Sequence, residues 1–134
     1  MDTTRDLERA LGAEPEITLA VLFGSAARGA AHRRSDIDVA VLGIHSPDRL
    51  AALRVTLSRI AGREVDLVPL ETASPLLRFE IARDGVVLVT RSPHVWPDFR
   101  ARAMVDWWDW APFARRIAAA SHRRLQQQTN HGPS

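Results

Sequence analysis

Residues 17–42 constrain the fold of this chain more than any other stretch. An apolar run, ITLAVLF (17–23), ends in Gly24-Ser25, and after a spacer of ten residues (26–35) Asp36-Ile37-Asp38 opens a second apolar run, VAVL (39–42). Short apolar runs bounded by glycine and polar residues read as buried strands. Side chains alternate along a strand, so Asp36 and Asp38 share one face and Ile37 takes the other. Two carboxylates side by side repel, and burying them is costly unless a cation sits between them. Hard oxygen ligands of this kind suit Mg²⁺, commonly held by one or two carboxylates together with substrate phosphates. The bland alternative is a solvated strand edge; the apolar runs on both sides, which make these positions partly buried, argue against it. Gly24 and Ser25 can supply the phosphate end through backbone N–H groups, a hydroxyl and a helix N-terminus. An ordinary turn glycine and an ordinary N-cap use the same geometry. The stretch reads as a metal–nucleotide site.

The rest of the chain alternates helical and strand patterns. Residues 3–11 place Leu7, Ala10 and Leu11 at helical spacing, with Gly12 as a stop and Pro15 as a separator. The Ala-rich segment 26–31 has the composition for one or two helical turns, and 32–35 for a polar loop. After a turn at 43–47, residues 48–60 read as a helix with Leu50, Leu53, Leu57 and Ile60 on one face, closed by Gly62. Residues 64–70 form a third strand with Glu64, Asp66 and Val68 on one side. Residues 74–83 form a helix with Pro75 in its first turn. Asp84-Gly85 is a turn, and 86–90 a fourth strand. The expectation is an α/β (α+β) fold: a mixed sheet of about four strands with helices on one face, plus a C-terminal helical segment. Residues 1–92 would form the core and 93–125 a helical extension packed on it, with a kink or break at Ala111-Pro112. Residues 126–134 would be a disordered tail.

Composition narrows the function classes. A chain of 134 residues suits one domain. It has no cysteine, so disulfides and thiolate metal sites are excluded. No run approaches the ~20 apolar residues of a membrane span, and the charged start MDTTRDLERA has no apolar core of a leader, so a cytoplasmic location is expected. The sequence pI of about 10.8 overstates basicity. All 18 basic residues are Arg, there is no Lys or Tyr, and the formal charge is only +2. The arginines are scattered rather than gathered in a stripe, which is not the footprint of a nucleic-acid binder. Without lysine a Walker-type phosphate loop is excluded. The five histidines (32, 45, 94, 122 and 131) show no ligand spacing and read as surface.

Gly24-Ser25, the ten-residue spacer and Asp36-x-Asp38 resemble the motif of the nucleotidyltransferase superfamily related to DNA polymerase β. With Arg28-Gly29 and Ser35 inside the spacer, the stretch resembles the minimal nucleotidyltransferases (MNT), and among them the MntA-type antitoxins encoded beside HEPN toxins. The resemblance runs from about residue 17 to 90. It implies a third carboxylate on a later strand, where Asp66 stands in EVDLV (64–68); Glu64, on the same strand face, is its rival. It further implies ATP as substrate, two Mg²⁺ ions held by Asp36, Asp38 and Asp66, and phosphate contacts from Gly24, Ser25, Arg28 and Ser35. Arg28 equally suits a surface ion pair. The implied reaction is transfer of AMP to a hydroxyl, typically of a tyrosine, on a HEPN toxin that is thereby silenced. Two other readings stand beside it: transfer to a small molecule of the aminoglycoside type, for which the chain is short, and an antitoxin acting by binding alone.

All four tryptophans, Trp96, Trp107, Trp108 and Trp110, lie in the C-terminal region. Three within four residues cannot share one narrow helical face, so some should pack on the sheet while others are exposed. Trp107, Trp108 and Trp110 are therefore candidates both for core closure and for contact with a partner.

Overall fold

The computed structural model describes residues 3–24 and 36–130, the side chains of 122–130 excepted. Four strands, β1 (Leu19–Phe23), β2 (Ile37–Leu42), β3 (Val65–Pro69) and β4 (Val86–Thr90), form one sheet in the order β3-β2-β1-β4. β1 runs antiparallel to both neighbours, while β2 and β3 are parallel. Parallel strands need a crossover, and α2 (Pro47–Ala61) supplies it between β2 and β3. The other helices are α1 (Thr3–Gly12), α3 (Pro75–Asp84) and α4 (Val95–Asn130), with a 3-10 turn over Leu70–Thr72.

Helices cover both faces of this sheet, not one. In β1, Leu19, Ala20 and Val21 are all fully buried, as are Val39, Ala40 and Val41 in β2. A run without polar alternation has two apolar faces, and each must be covered. On one face Ala20, Leu22, Val39, Val41 and Val65 meet Leu7 and Leu11 of α1 and Leu53 and Leu57 of α2. On the other, Leu19, Val21 and Ala40 meet Ile81 and Ala82 of α3 and Phe99 and Ala103 of α4. The expectation of one covered face accounts for α1 and α2 and misplaces α3.

Local chemistry sets the helix ends. Ser46 and Ser74 cap α2 and α3, their hydroxyls accepting from the Arg49 and Leu77 N–H groups, with proline next in both. Gly62 closes α2 in the left-handed region. Arg91 pins the α1–β1 connection to the end of β4. It donates from Nε to the Ile17 carbonyl (2.9 Å) and from Nη2 to those of Gly12 and Glu14 (both 2.8 Å).

α4 is not broken at Ala111-Pro112. The helix runs on through Pro112, which forfeits only the bond to the Trp108 carbonyl, on an exposed side of the helix. Its first half packs along α3. Phe79 stacks on Trp107 at 5.1 Å between ring centroids, Arg100 donates to the Ala82 carbonyl (3.0 Å), and Arg78 pairs with Asp106 (3.6 Å). Among the described side chains Ala111 is the last buried one; between 112 and 121 none is buried. Among the described residues no helix is long and apolar enough to cross a membrane.

Candidate active site

The sheet order gathers one end of three strands. β1 finishes where β2 and β3 begin: Phe23 lies opposite Asp38, and Asp38 lies beside Asp66 in the parallel register. Residues paired across parallel strands point to the same side, so Asp38 and Asp66 share the face that carries Ala40, α3 and α4. Asp36, two residues before Asp38, precedes the strand. Asp38 is half-buried, whereas Asp36 and Asp66 are exposed. Glu64 takes another course: it pairs with Arg54 of α2 (2.7 Å). Asp66, not Glu64, is thus the β3-side acid beside Asp38.

Gly24 belongs to the same cluster by contact. It ends β1 with φ +76°, and a Cβ built there would lie 2.6 Å from Oδ2 of Asp38. Only glycine offers both the left-handed conformation and the room for that carboxylate. Burial, then the charges of Asp66 and Asp36, hold the Asp38 carboxyl above the usual carboxylate range. Three acidic groups at the end of a sheet, one of them raised by burial and then by its neighbours, offer hard oxygen donors whose repulsion a divalent cation would relieve. In donor chemistry the residues therefore fit Mg²⁺. Among the described residues, however, no three acids or histidines are drawn tightly enough to enclose an ion.

Ser25, Arg28 and Ser35 lie outside the described residues, as do the short helix expected at 26–31 and the loop at 32–35. On the far flank of Gly24 is a cleft of about 280 Å³ lined by Phe23, Gly24, Glu80, Arg83 and Asp84. Arg83 donates to Asp84 through Nε (3.0 Å) and Nη2 (2.8 Å), which braces that wall. Sequence reasoning missed this flank, because only the pairing of β4 with β1 brings the end of α3 beside Gly24. The tryptophans divide. Trp107 stacks on Phe79 and meets Trp110, Trp96 stacks on Phe99, and Trp108 is 73% exposed.

A positive-φ glycine thus stands against Asp38, beside Asp66, at the end of a mixed, helix-covered sheet. The chain belongs to the family described as Polymerase beta, Nucleotidyltransferase, which matches it over residues 5–94. It is similar to the Protein adenylyltransferase MntA of Shewanella oneidensis, 40% identical over 73 residues, or 53% of this chain and 52% of that protein. The matched part spans about half the length of that curated relative. Among solved structures it is similar to a toxin–antitoxin with AMP-PNP (TM-score 0.80, 25% identity, 89% of this chain and 98% of that one). It also shares the fold of a chain from a tri-AMPylated Shewanella oneidensis HEPN toxin in complex with MNT antitoxin (TM-score 0.75, 22% identity, 90% and 96% covered).

Proposed function

We propose that this protein is a cytoplasmic adenylyltransferase antitoxin that transfers AMP from ATP to a hydroxyl of a HEPN toxin and so silences it. The observation that carries this reading is the register Phe23–Asp38–Asp66, which sets a strand-end glycine and two carboxylates side by side in a member of this family. The 40% identity to a protein adenylyltransferase supports the choice of acceptor class. So does the likeness to a toxin–antitoxin with AMP-PNP, which also supports adenine as the base.

In this reading the acceptor oxygen attacks the α-phosphorus in line, the bond to the β-phosphate breaks, and pyrophosphate leaves. Asp36, Asp38 and Asp66 would hold two Mg²⁺, which supply charge neutralisation at the attacking and leaving oxygens. The remaining work falls to the chain. Gly24, lacking a side chain, lets phosphate approach the backbone beside Asp38, and Ser25, Arg28 and Ser35 extend the phosphate contacts. Asp66, exposed at the sheet end, takes the proton of the acceptor hydroxyl. Positioning and electrostatics then account for most of the rate.

The test uses α-³²P-ATP, Mg²⁺, the purified protein and, as candidate HEPN protein, the product of the neighbouring gene. Label should move onto the HEPN protein and vanish with Asp36→Ala/Asp38→Ala. A stable complex that never takes label would replace transfer with neutralisation by binding. Label on a small hydroxylated acceptor alone would favour the small-molecule reading.

A further inference from the structure

The two halves of α4 face different surroundings. Up to Ala111 one face is held by the domain, through Phe99, Ala103 and the Trp107–Phe79 stack. Phe113 and Ile117 continue the seam of 99, 103, 106 and 110 in steps of three and four, on the same side of the helix. There the domain has ended. Phe113 is 53% and Ile117 50% exposed, and Val105 and Trp108 add apolar surface on the outer side. Residues 112–130 extend roughly 28 Å at 1.5 Å per residue. Charge changes at the same point. Residues 110–134 contain four arginines and no acid, a net +4, whereas residues 1–109 sum to −2.

We propose that this overhang is a docking arm whose occupant is an acidic, apolar-floored groove on the protein acceptor, a helix-in-groove contact made away from the carboxylate site. The inference rests on the reading of the chain as acting on a protein. Charge selects the occupant. A second copy laid along the arm would set Arg115 and Arg116 against their own counterparts. Five acids of the domain are already held by its own arginines: Glu14 and Glu16 by Arg49, Glu64 by Arg54, Asp84 by Arg83, and Asp106 by Arg78. Arg115 and Arg116 have no carboxylate partner among the described residues. Nucleic acid would satisfy the arginines but leave Phe113, Ile117 and Trp108 in water. Aromatic and arginine side chains together are the composition of protein-interface anchors.

The experiment compares wild type, Phe113→Asp/Ile117→Asp and Arg115→Glu/Arg116→Glu. Binding to the candidate HEPN protein, the product of the neighbouring gene, is measured by calorimetry at two salt concentrations, with Tm and AMP-PNP affinity as controls. Both variants should keep wild-type Tm and AMP-PNP affinity. The apolar variant should bind the HEPN protein at least about 100-fold more weakly. The charge-reversed variant should bind at least about tenfold more weakly and lose most of the salt dependence. Unchanged HEPN binding in both variants, or no HEPN binding by wild type, overturns the arm. So does wild-type self-association abolished by the apolar variant, which would make a second copy the occupant. Binding to duplex DNA that survives Phe113→Asp/Ile117→Asp but not the charge reversal would make the partner a nucleic acid. If AMP transfer fails while arm-dependent binding persists, the arm stands and the enzymatic reading falls. If transfer and binding proceed equally in all three proteins, the arm falls and the enzymatic reading stands.

Discussion

Gly24→Ala should act through one atom, and a double-mutant cycle can isolate it. The substitution imposes two separable costs. A non-glycine residue at φ +76° costs about 1–2 kcal/mol. The new methyl, 2.6 Å from Oδ2 of Asp38, must also push that carboxylate off its rotamer, about 0.5–1.5 kcal/mol. Together these predict a loss of about 1.5–3.5 kcal/mol and a Tm lowered by roughly 5–15 °C. A carboxylate displaced by about 1 Å should cost AMP transfer on the order of 100-fold. In an Asp38→Ala background the methyl has nothing to strike, so only the backbone cost remains. The coupling between positions 24 and 38, from urea unfolding of the four proteins, should be about 0.5–1.5 kcal/mol. Additive effects would refute the placement of Gly24 against Asp38.

Three further perturbations follow from the same geometry. Asp38 has a raised pKa, so its native-state advantage is present below the ordinary value of 3.8 and is lost as pH rises through the raised value. Asp38→Asn should therefore be more stable than wild type at neutral pH, by less than about 1 kcal/mol because the group is partly solvated, with the gap closing towards about pH 3.5; a gap that stays flat across melts at these pH values would contradict the cause assigned. Arg91→Ala removes three carbonyl contacts that lock β4 to the α1–β1 connection, and chemical denaturation should show a loss of about 2–3 kcal/mol with no change in AMP-PNP affinity. Asp66→Asn should lower transfer by about 100-fold or more in single-turnover kinetics while AMP-PNP affinity stays within about threefold, and chelation with EDTA should abolish transfer without unfolding the protein.

The four strands and four helices were legible because their apolar runs are clean and their ends carry strong punctuation, such as Ser46-Pro47, Gly62 and Ser74-Pro75. The side of the sheet that Asp38 takes followed from alternation along β2, whereas Asp36 precedes that strand. The meeting of Asp38 with Asp66 was not legible, because it depends on β3 pairing parallel to β2, a long-range choice that no local pattern encodes. Glu64, the rival read on the same strand face, pairs instead with Arg54, a contact across elements that no local pattern encodes either. Helices on both faces were inferable from the unbroken apolar runs of β1 and β2, yet the sidedness of α3 was misread. As a break Pro112 was overweighted, since one forfeited hydrogen bond on an exposed side does not end a helix. The Glu80–Arg83–Asp84 flank had no signal in sequence; it exists because β4 returns beside β1.

The most direct test of the central claim is neutralisation in cells. The HEPN toxin is co-expressed with either the wild-type protein or Asp36→Ala/Asp38→Ala at matched levels, and growth is measured alongside the mass of the recovered toxin. Silencing by AMP transfer predicts that wild type restores growth and leaves AMP on the toxin, while the double variant still binds it but restores nothing. Full rescue by the double variant, with the toxin unmodified, would contradict the account and leave an antitoxin that works by binding alone.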